Sequence, residues 1–176
     1  MTISRECGTI GGLRPSDDPL LFRLSDLTSA NDAEGIPNMS LAHTLKFIIN
    51  HPLNRDRKLA ALERFAAWQI RSRLSAGPHE VPFVNSTRLR ASRGLYGATG
   101  NIYCGLHEFE DMGFVLHLLR KDDLFVDIGS NVGSYTVLAS GAVGAHSIAV
   151  EPLKATFDHL MNNIRCNKIE NLVTAL

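Results

Sequence analysis

Apolar residues recur along this chain at different periods, and the changes of period divide it. Residues 1–38 hold no sustained period: Gly, Pro, Ser, Asp and Asn are scattered through them, which predicts a disordered leader. Helical spacing begins after Ser40, a residue suited to cap a helix, and runs from Leu41 to about Asn50, where Pro52 stops it. A second helix follows Asn54, with Leu59, Leu62, Ala66 and Ile70 expected as its buried stripe and Gly77-Pro78 as its end. The period then drops to two. Val81 to Val84 and Thr87 to Ala91 predict short strands about an Asn85-Ser86 turn, and Pro82 confines the first to a sheet edge. Gly94, Gly97 and Gly100 predict a broken stretch before another short strand at Ile102-Tyr103-Cys104. Helical spacing returns from about Glu108 to Leu119. Phe109, Met112, Leu116 and Leu119 form its stripe, and Glu108, Glu110 and Asp111 crowd its electropositive first turn.

Leu124-Phe-Val-Asp-Ile128 is an apolar run around one acid, the pattern of a strand buried on both faces of a parallel sheet. Gly129 to Gly133 makes a tight turn into a helix over about Ser134 to Ser140. Ser147 to Val150 is the next strand, Leu153 to Cys166 the next helix, and Asn171 to Leu176 opens a third strand. The result is a βαβαβ unit, an α/β fold with a Rossmann-like parallel sheet. Three regions follow: a leader over 1–38, helices and short antiparallel strands over 39–106, and the Rossmann-like unit over 107–176.

Composition adjusts this picture little. With 176 residues, 44% of them apolar, the chain can bury one sizeable core, and its 18 basic and 18 acidic residues leave no net field to draw in nucleic acid. The balance is local, however. Residues 1–38 hold three arginines against six acids, whereas residues 51–93 hold nine basic groups against three acids. Such a stretch is first of all a solvated helix face, and second a surface for an anionic partner. Cys7, Cys104 and Cys166 are far apart, and no zinc ligand set is spelled, so reduced thiols and a cytoplasmic setting are expected, with no metal. No run of 18 apolar residues suggests a membrane span.

The turn after Ile128 carries the chemistry. A dinucleotide fold wants glycines in the G-x-G-x-x-G order; here the second and third glycine positions hold Asn131 and Ser134, so that fingerprint fails. What stands is Asp127-Ile-Gly129-Ser130-Asn131-Val132-Gly133, with an acid two residues ahead of the first glycine. S-adenosylmethionine suits such a turn. Asp127 can hold its ammonium, the amides around Ser130 to Gly133 suit its carboxylate, and Gly129 and Gly133 allow positive φ and close backbone approach. Glu151, 22 residues after Gly129, stands where a carboxylate can accept ribose hydroxyls. Asp127 as a plain turn cap and Glu151 as an ordinary surface acid are the bland alternatives. For a transfer step, His107, Glu108 and Glu110 are candidate proton acceptors, although a structural histidine and helix-favouring acids explain them equally simply. Tyr103 and Tyr135 are expected in the core rather than in a pocket.

Together, Gly105-Leu-His-Glu-Phe-Glu-Asp111, Leu124 to Thr136 with Asn131 inside the glycine turn, Ile148-Ala-Val-Glu-Pro152 and Asn162-Asn-Ile-Arg-Cys-Asn167 resemble the FkbM family of methyltransferases, over about Leu41 to Leu176. The resemblance implies a class I methyltransferase fold and transfer of a methyl group to a hydroxyl of a natural product, sugar or related metabolite. It also implies that Asp127, Gly129, Asn131, Gly133 and Glu151 are cofactor residues. The expected partners are thus the cofactor and a small-molecule or glycan acceptor, with no nucleic acid.

That fold has seven strands, and this sequence predicts the first three. A truncated, inactive remnant or interaction module keeping half a cofactor site is therefore the alternative expectation. Met39 directly precedes the Ser40 cap, which makes it a candidate biological start. N-terminal sequencing of the native protein should then read from position 39 or 40; a mature chain that begins within 1–38 excludes this.

Overall fold

In the computed structural model, residues 40–75, 77–93 and 95–176 are described. The leader, Cys7, the start proposed at Met39, and Gly94 lie outside the described residues. Helix α1 spans Leu41–Asn50, and Ser40 caps it as expected, its Oγ accepting from the His43 amide at 3.3 Å. His51 is extended because Pro52 follows, and a short 3-10 turn at Pro52–Asn54 leads to α2, Lys58–Leu74.

The buried face of α2 differs from the expected one. Ala61, Trp68 and Ser72 are buried, whereas Leu59 and Ile70 are 77% and 60% exposed. From the rim of this face, Arg64 donates to Asn54 Oδ1 at 2.7 Å and to the Tyr103 carbonyl at 3.0 Å. Phe65 and Trp68 face the core instead, and these aromatics offer more area to bury than Leu59 and Ile70 do.

Strands β1, His79–Pro82, and β2, Arg88–Ala91, pair antiparallel with Val81 opposite Leu89. Leu89 is fully buried between exposed Arg88 and half-buried Arg90, so the alternation read from the sequence holds. The next expectation fails. Ile102-Tyr103-Cys104 is not a strand; it ends helix α3, Tyr96–Cys104, and Gly97 and Gly100 sit inside that helix. These glycines permit contact rather than breaking the chain. A Cβ on Gly100 would lie 2.4 Å from the His107 ring, and one on Gly97 would meet the Asn131 side chain at 3.3 Å. Helix α4 spans Phe109–Leu118 and buries Met112, as its stripe predicts.

The predicted βαβαβ unit is present. Strands β3, Leu124–Ile128, β4, His146–Val150, and β5, Val173–Ala175, form a parallel sheet in that order. Between β3 and β4, helix α5 makes one α-turn at Ser134–Thr136 and widens to a π-helix over Val137–Val143. Helix α6, Lys154–Asn167, links β4 to β5. Both connections step the same way across the sheet, so right-handed crossovers put their helices on one face. This corrects the expectation for β3. Its residues alternate instead of being buried on both faces, with Leu124, Val126 and Ile128 being 63%, 51% and 81% exposed and Phe125 and Asp127 half-buried. Among the described residues, no helix is long and apolar enough to cross a membrane. Cys104 is buried, and that burial pushes its thiol up to about 11, which leaves it unreactive at neutral pH.

The hairpin β1–β2 is joined to the parallel unit through α6. Asn163, fully buried, accepts from the Arg90 amide at 2.6 Å and donates to the Val132 carbonyl at 2.8 Å. One helical turn on, Asn167 accepts from the Arg88 amide and donates to the Arg88 carbonyl, both at 2.8 Å. Four residues of helix rise about 6 Å and two residues of strand about 6.8 Å, so asparagines spaced i, i+4 match alternate residues of β2. The helix thus serves as a second pairing partner for the strand. Replacing Asn163 by Ala strands a buried N–H and a buried C=O, and should cost about 2–3 kcal/mol in urea unfolding. Asn167→Ala, at an exposed rim, should cost clearly less; equal losses would contradict this ranking.

Candidate functional site

The carboxyl end of β3, the glycine turn and the start of α5 enclose a cavity of about 210 Å³, walled on its other side by α3 and the approach to α4. The backbone of the turn is left-handed at three positions, Gly129 at φ 76°, Asn131 at φ 52° and Gly133 at φ 84°. Each has a reason. Nothing lies within 4 Å of where a Gly129 side chain would be, so that glycine answers a need of the backbone. A Cβ on Gly133 would lie 2.6 Å from Leu160, so α6 packs directly on the turn. Asparagine is among the few non-glycine residues that adopt this conformation readily.

Hydrogen bonds fix the turn from behind. The Gly129 and Ser130 amides both donate to the Val150 carbonyl, at 2.9 and 3.0 Å, and the Gly133 amide donates to the Ser130 carbonyl at 2.8 Å. Glu151 is buried, and its two oxygens accept from the Asn131 and Leu153 amides at 2.9 and 3.0 Å. Of the four amides the sequence offers to a carboxylate, only that of Val132 has no acceptor among the described residues. Ser130 is also buried, and its Oγ has no hydrogen-bond partner among them.

Asp127 faces the cavity from the end of β3. Burial raises its carboxyl above the ordinary 3.8, and hydrogen bonds from the Thr136 side chain, at 2.6 Å, and Thr136 backbone partly oppose that rise. Across the cavity, Tyr135 donates its hydroxyl to Glu108 Oε2 at 2.6 Å. Burial, the bond to Glu108 and the negative charges of Glu108, Asp111 and Asp127 all push the Tyr135 phenol strongly up, so it stays a donor at any ordinary pH. Asn101 forms the floor. It is buried, donates to the Gly97 carbonyl and to Ser134 Oγ, and accepts from the His107 amide at 2.8 Å. His107 packs edge-on against Phe47, with centroids 5.2 Å apart.

Of the residues singled out from the sequence, Asp127, Gly129, Ser130, Asn131 and Val132 line the cavity, with His107 and Glu108 at its edge. Gly133 and Glu151 stand behind the turn and hold it, and Glu110 is exposed outside the cavity lining. Tyr103 is in the core as expected, but Tyr135 lines the cavity, because the first turn of α5 points over the carboxyl end of β3. Sequence reading missed Gly97, Asn101, Met112 and Ser134, which complete the lining. The signal was present in Gly97, Gly100 and Asn101: small residues at helical spacing beside a polar one mark a helix that lets another backbone come close. A larger, more open groove of about 340 Å³ runs along α1 between His43 and Pro52 and contains none of the expected site residues.

No family model and no curated protein matches the chain. Among solved structures, it is similar to TYW2 of Pyrococcus horikoshii in complex with MeSAdo (20% identity, TM-score 0.47, covering 58% of this chain and 36% of that one). It is also similar to aTrm5 in its complex with tRNALeu (17% identity, TM-score 0.44, covering 57% of this chain and 27% of that one). The chain thus spans about a third of the length of these solved structures.

Asp127 carries a stability cost with a definite sign. A carboxyl whose pKa is higher in the fold than in the unfolded chain keeps its full contribution to stability below 3.8 and loses it as pH rises through the raised value. Asp127→Asn keeps the acceptor for Thr136 and removes the charge. Its melting temperature should exceed that of the parent at pH 7, and the two should converge below about pH 3.8. A lower melting temperature at pH 7 would show that the charge is not a net cost.

Proposed function

We propose that this chain carries the methyl-donor site of a class I, S-adenosylmethionine-dependent methyltransferase. The observation that carries the reading is Asp127: a half-buried carboxylate, with no cationic partner among the described residues, facing a cavity bounded by a left-handed glycine turn. A half-buried carboxylate at a cavity with no ion pair is a candidate partner for a cationic ligand. The residues fit the amino-acid end of this cofactor. Asp127 holds an ammonium, the Val132 amide and the start of α5 suit a carboxylate, and Ser130 Oγ offers a further partner. At about 210 Å³, the cavity is smaller than the roughly 300 Å³ or more of a complete small-molecule pocket, which is in keeping with one end of the cofactor.

Bound S-adenosylmethionine supplies an electrophilic methyl group on a sulfonium. The protein's share is placement and exclusion of water. Glu151 fixes the turn through the Asn131 amide, and the ribose role assigned to it rests on its place directly after the second strand. His107 and Glu108 are the lining groups that can take a proton from an acceptor hydroxyl, and Glu108 is the better placed, since Tyr135 orients its carboxylate. The resemblance to the FkbM motifs supports O-methylation of a natural product, sugar or related metabolite, and the widely spaced cysteines support a cytoplasmic setting. The second reading, a remnant or interaction module with half a cofactor site, is favoured by the bare residues Leu124, Val126 and Ile128 on β3.

Calorimetric titration with S-adenosylhomocysteine separates the two. Micromolar binding by the 176-residue chain, lost by at least about tenfold in Asp127→Ala, is expected of a donor site. Absence of binding in a chain that melts cooperatively would remove this reading and leave the second.

A further inference from the structure

The cavity is anionic beyond what anchoring an ammonium requires. Two carboxylates line it, Asp127 and Glu108, and Asp111 stands close by on the first turn of α4. Among the described residues no lysine or arginine lines it, and His107 is the basic group there. The ion pairs among the described residues, Arg90 with Glu80 and Lys154 with Asp158, involve neither lining carboxylate. The hydroxyls that do contact these carboxylates, Thr136 on Asp127 and Tyr135 on Glu108, are neutral donors that orient the charge without cancelling it. Ser130, more than nine-tenths buried with its Oγ unpartnered, adds an independent sign that the cavity is shaped for a polar occupant.

We propose that the cavity is selective for charge: with Asp127 taken by the ammonium, Glu108 holds the sulfonium donor in preference to the neutral thioether that remains after transfer. The inference rests on the donor-site reading. In the transfer, the bond from methyl carbon to sulfur breaks with its electron pair left on sulfur, a bond forms from that carbon to the acceptor oxygen, and the hydroxyl proton passes to a base or to water. The donor loses one positive charge and nothing else but the methyl. Its ammonium and carboxylate cancel before and after, and the positive end of α5 acts on both forms alike. Glu108 is therefore the group that distinguishes the forms, since a neighbouring opposite charge stabilises only the cation. A site of this kind releases its product by electrostatics: the attraction that binds the donor ends when the methyl leaves.

The test compares the affinities of S-adenosylmethionine, S-adenosylhomocysteine and sinefungin, which carries an ammonium in place of the sulfonium, by calorimetry on the full chain. The two cations should bind about tenfold tighter than the thioether, and added salt should narrow that gap. Glu108→Gln, which keeps an oxygen for Tyr135, should bring the ratio close to one while leaving the thioether within about twofold of its parent affinity. Tyr135→Phe removes the phenol and neither carboxylate, so it should retain the preference; losing it there would assign the effect to the phenol and overturn the proposal. Equal or tighter binding of the thioether by the parent, or an equal loss for all three ligands in Glu108→Gln, would also overturn it. Failure of every ligand to bind would instead sink the donor-site reading.

Discussion

The amide of Asn163 ties together by hydrogen bonds two distant parts of the chain, the hairpin and the glycine turn. It lies on α6, wholly removed from solvent, with one end on the backbone of β2 and the other on the carbonyl of Val132 inside the glycine turn. A primary amide is suited to this because it presents a donor and an acceptor on one rigid plane, and here both are used in full view of an apolar core. This side chain, together with Leu160 packed between Gly133 and Leu89, sets the position of the turn relative to the hairpin. An apolar residue of the same size would fill the space but leave two backbone groups without partners, a penalty that grows with the dryness of the site.

The same junction explains why the cavity has walls from both halves of the sequence. Val132 packs in one cluster with Ile48, Trp68 and Ala98, while Leu89 of the hairpin packs with Val137, Ala149 and Leu160 of the parallel unit. Each half thus sends a side chain into the other's core, and the turn is held at the seam. The glycines of α3 belong to this arrangement. They bring the helix near enough for Asn101 to reach Ser134 and for Gly97 to meet Asn131, so that an N-terminal helix becomes part of a site built around a strand end.

Much of this was legible in the sequence, for identifiable reasons. The strand–turn–helix pattern around Asp127 announced itself because buried parallel strands, tight turns and amphipathic helices leave distinct periods, and the elements from Leu124 onward lie where those periods put them. The failures occurred where a tertiary contact overrode a local preference. Leu59 and Ile70 look like a core stripe, but α2 turns the larger Phe65 and Trp68 to the core and leaves the aliphatic pair exposed. Ile102 to Cys104 have strand-like side chains, yet they finish a helix whose glycines serve packing. β3 reads as buried on both faces, and only one face is covered, because the order of strands rather than their composition decides where the helices go. The site residues were named from motif spacing, but spacing does not reveal that Glu151 would meet two amides or that Tyr135 would meet Glu108.

The burial of Trp68 has an optical consequence. It is the sole tryptophan, 5% exposed, edge-on to the His79 ring at 5.8 Å and packed in the same cluster as Val132. Its indole thus sits in the N-terminal layer and touches the packing that supports the glycine turn. The chain carries an intrinsic fluorophore whose emission colour and intensity register the dryness of that layer, so occupation of the turn and loosening of the seam can be followed in solution without attaching a dye.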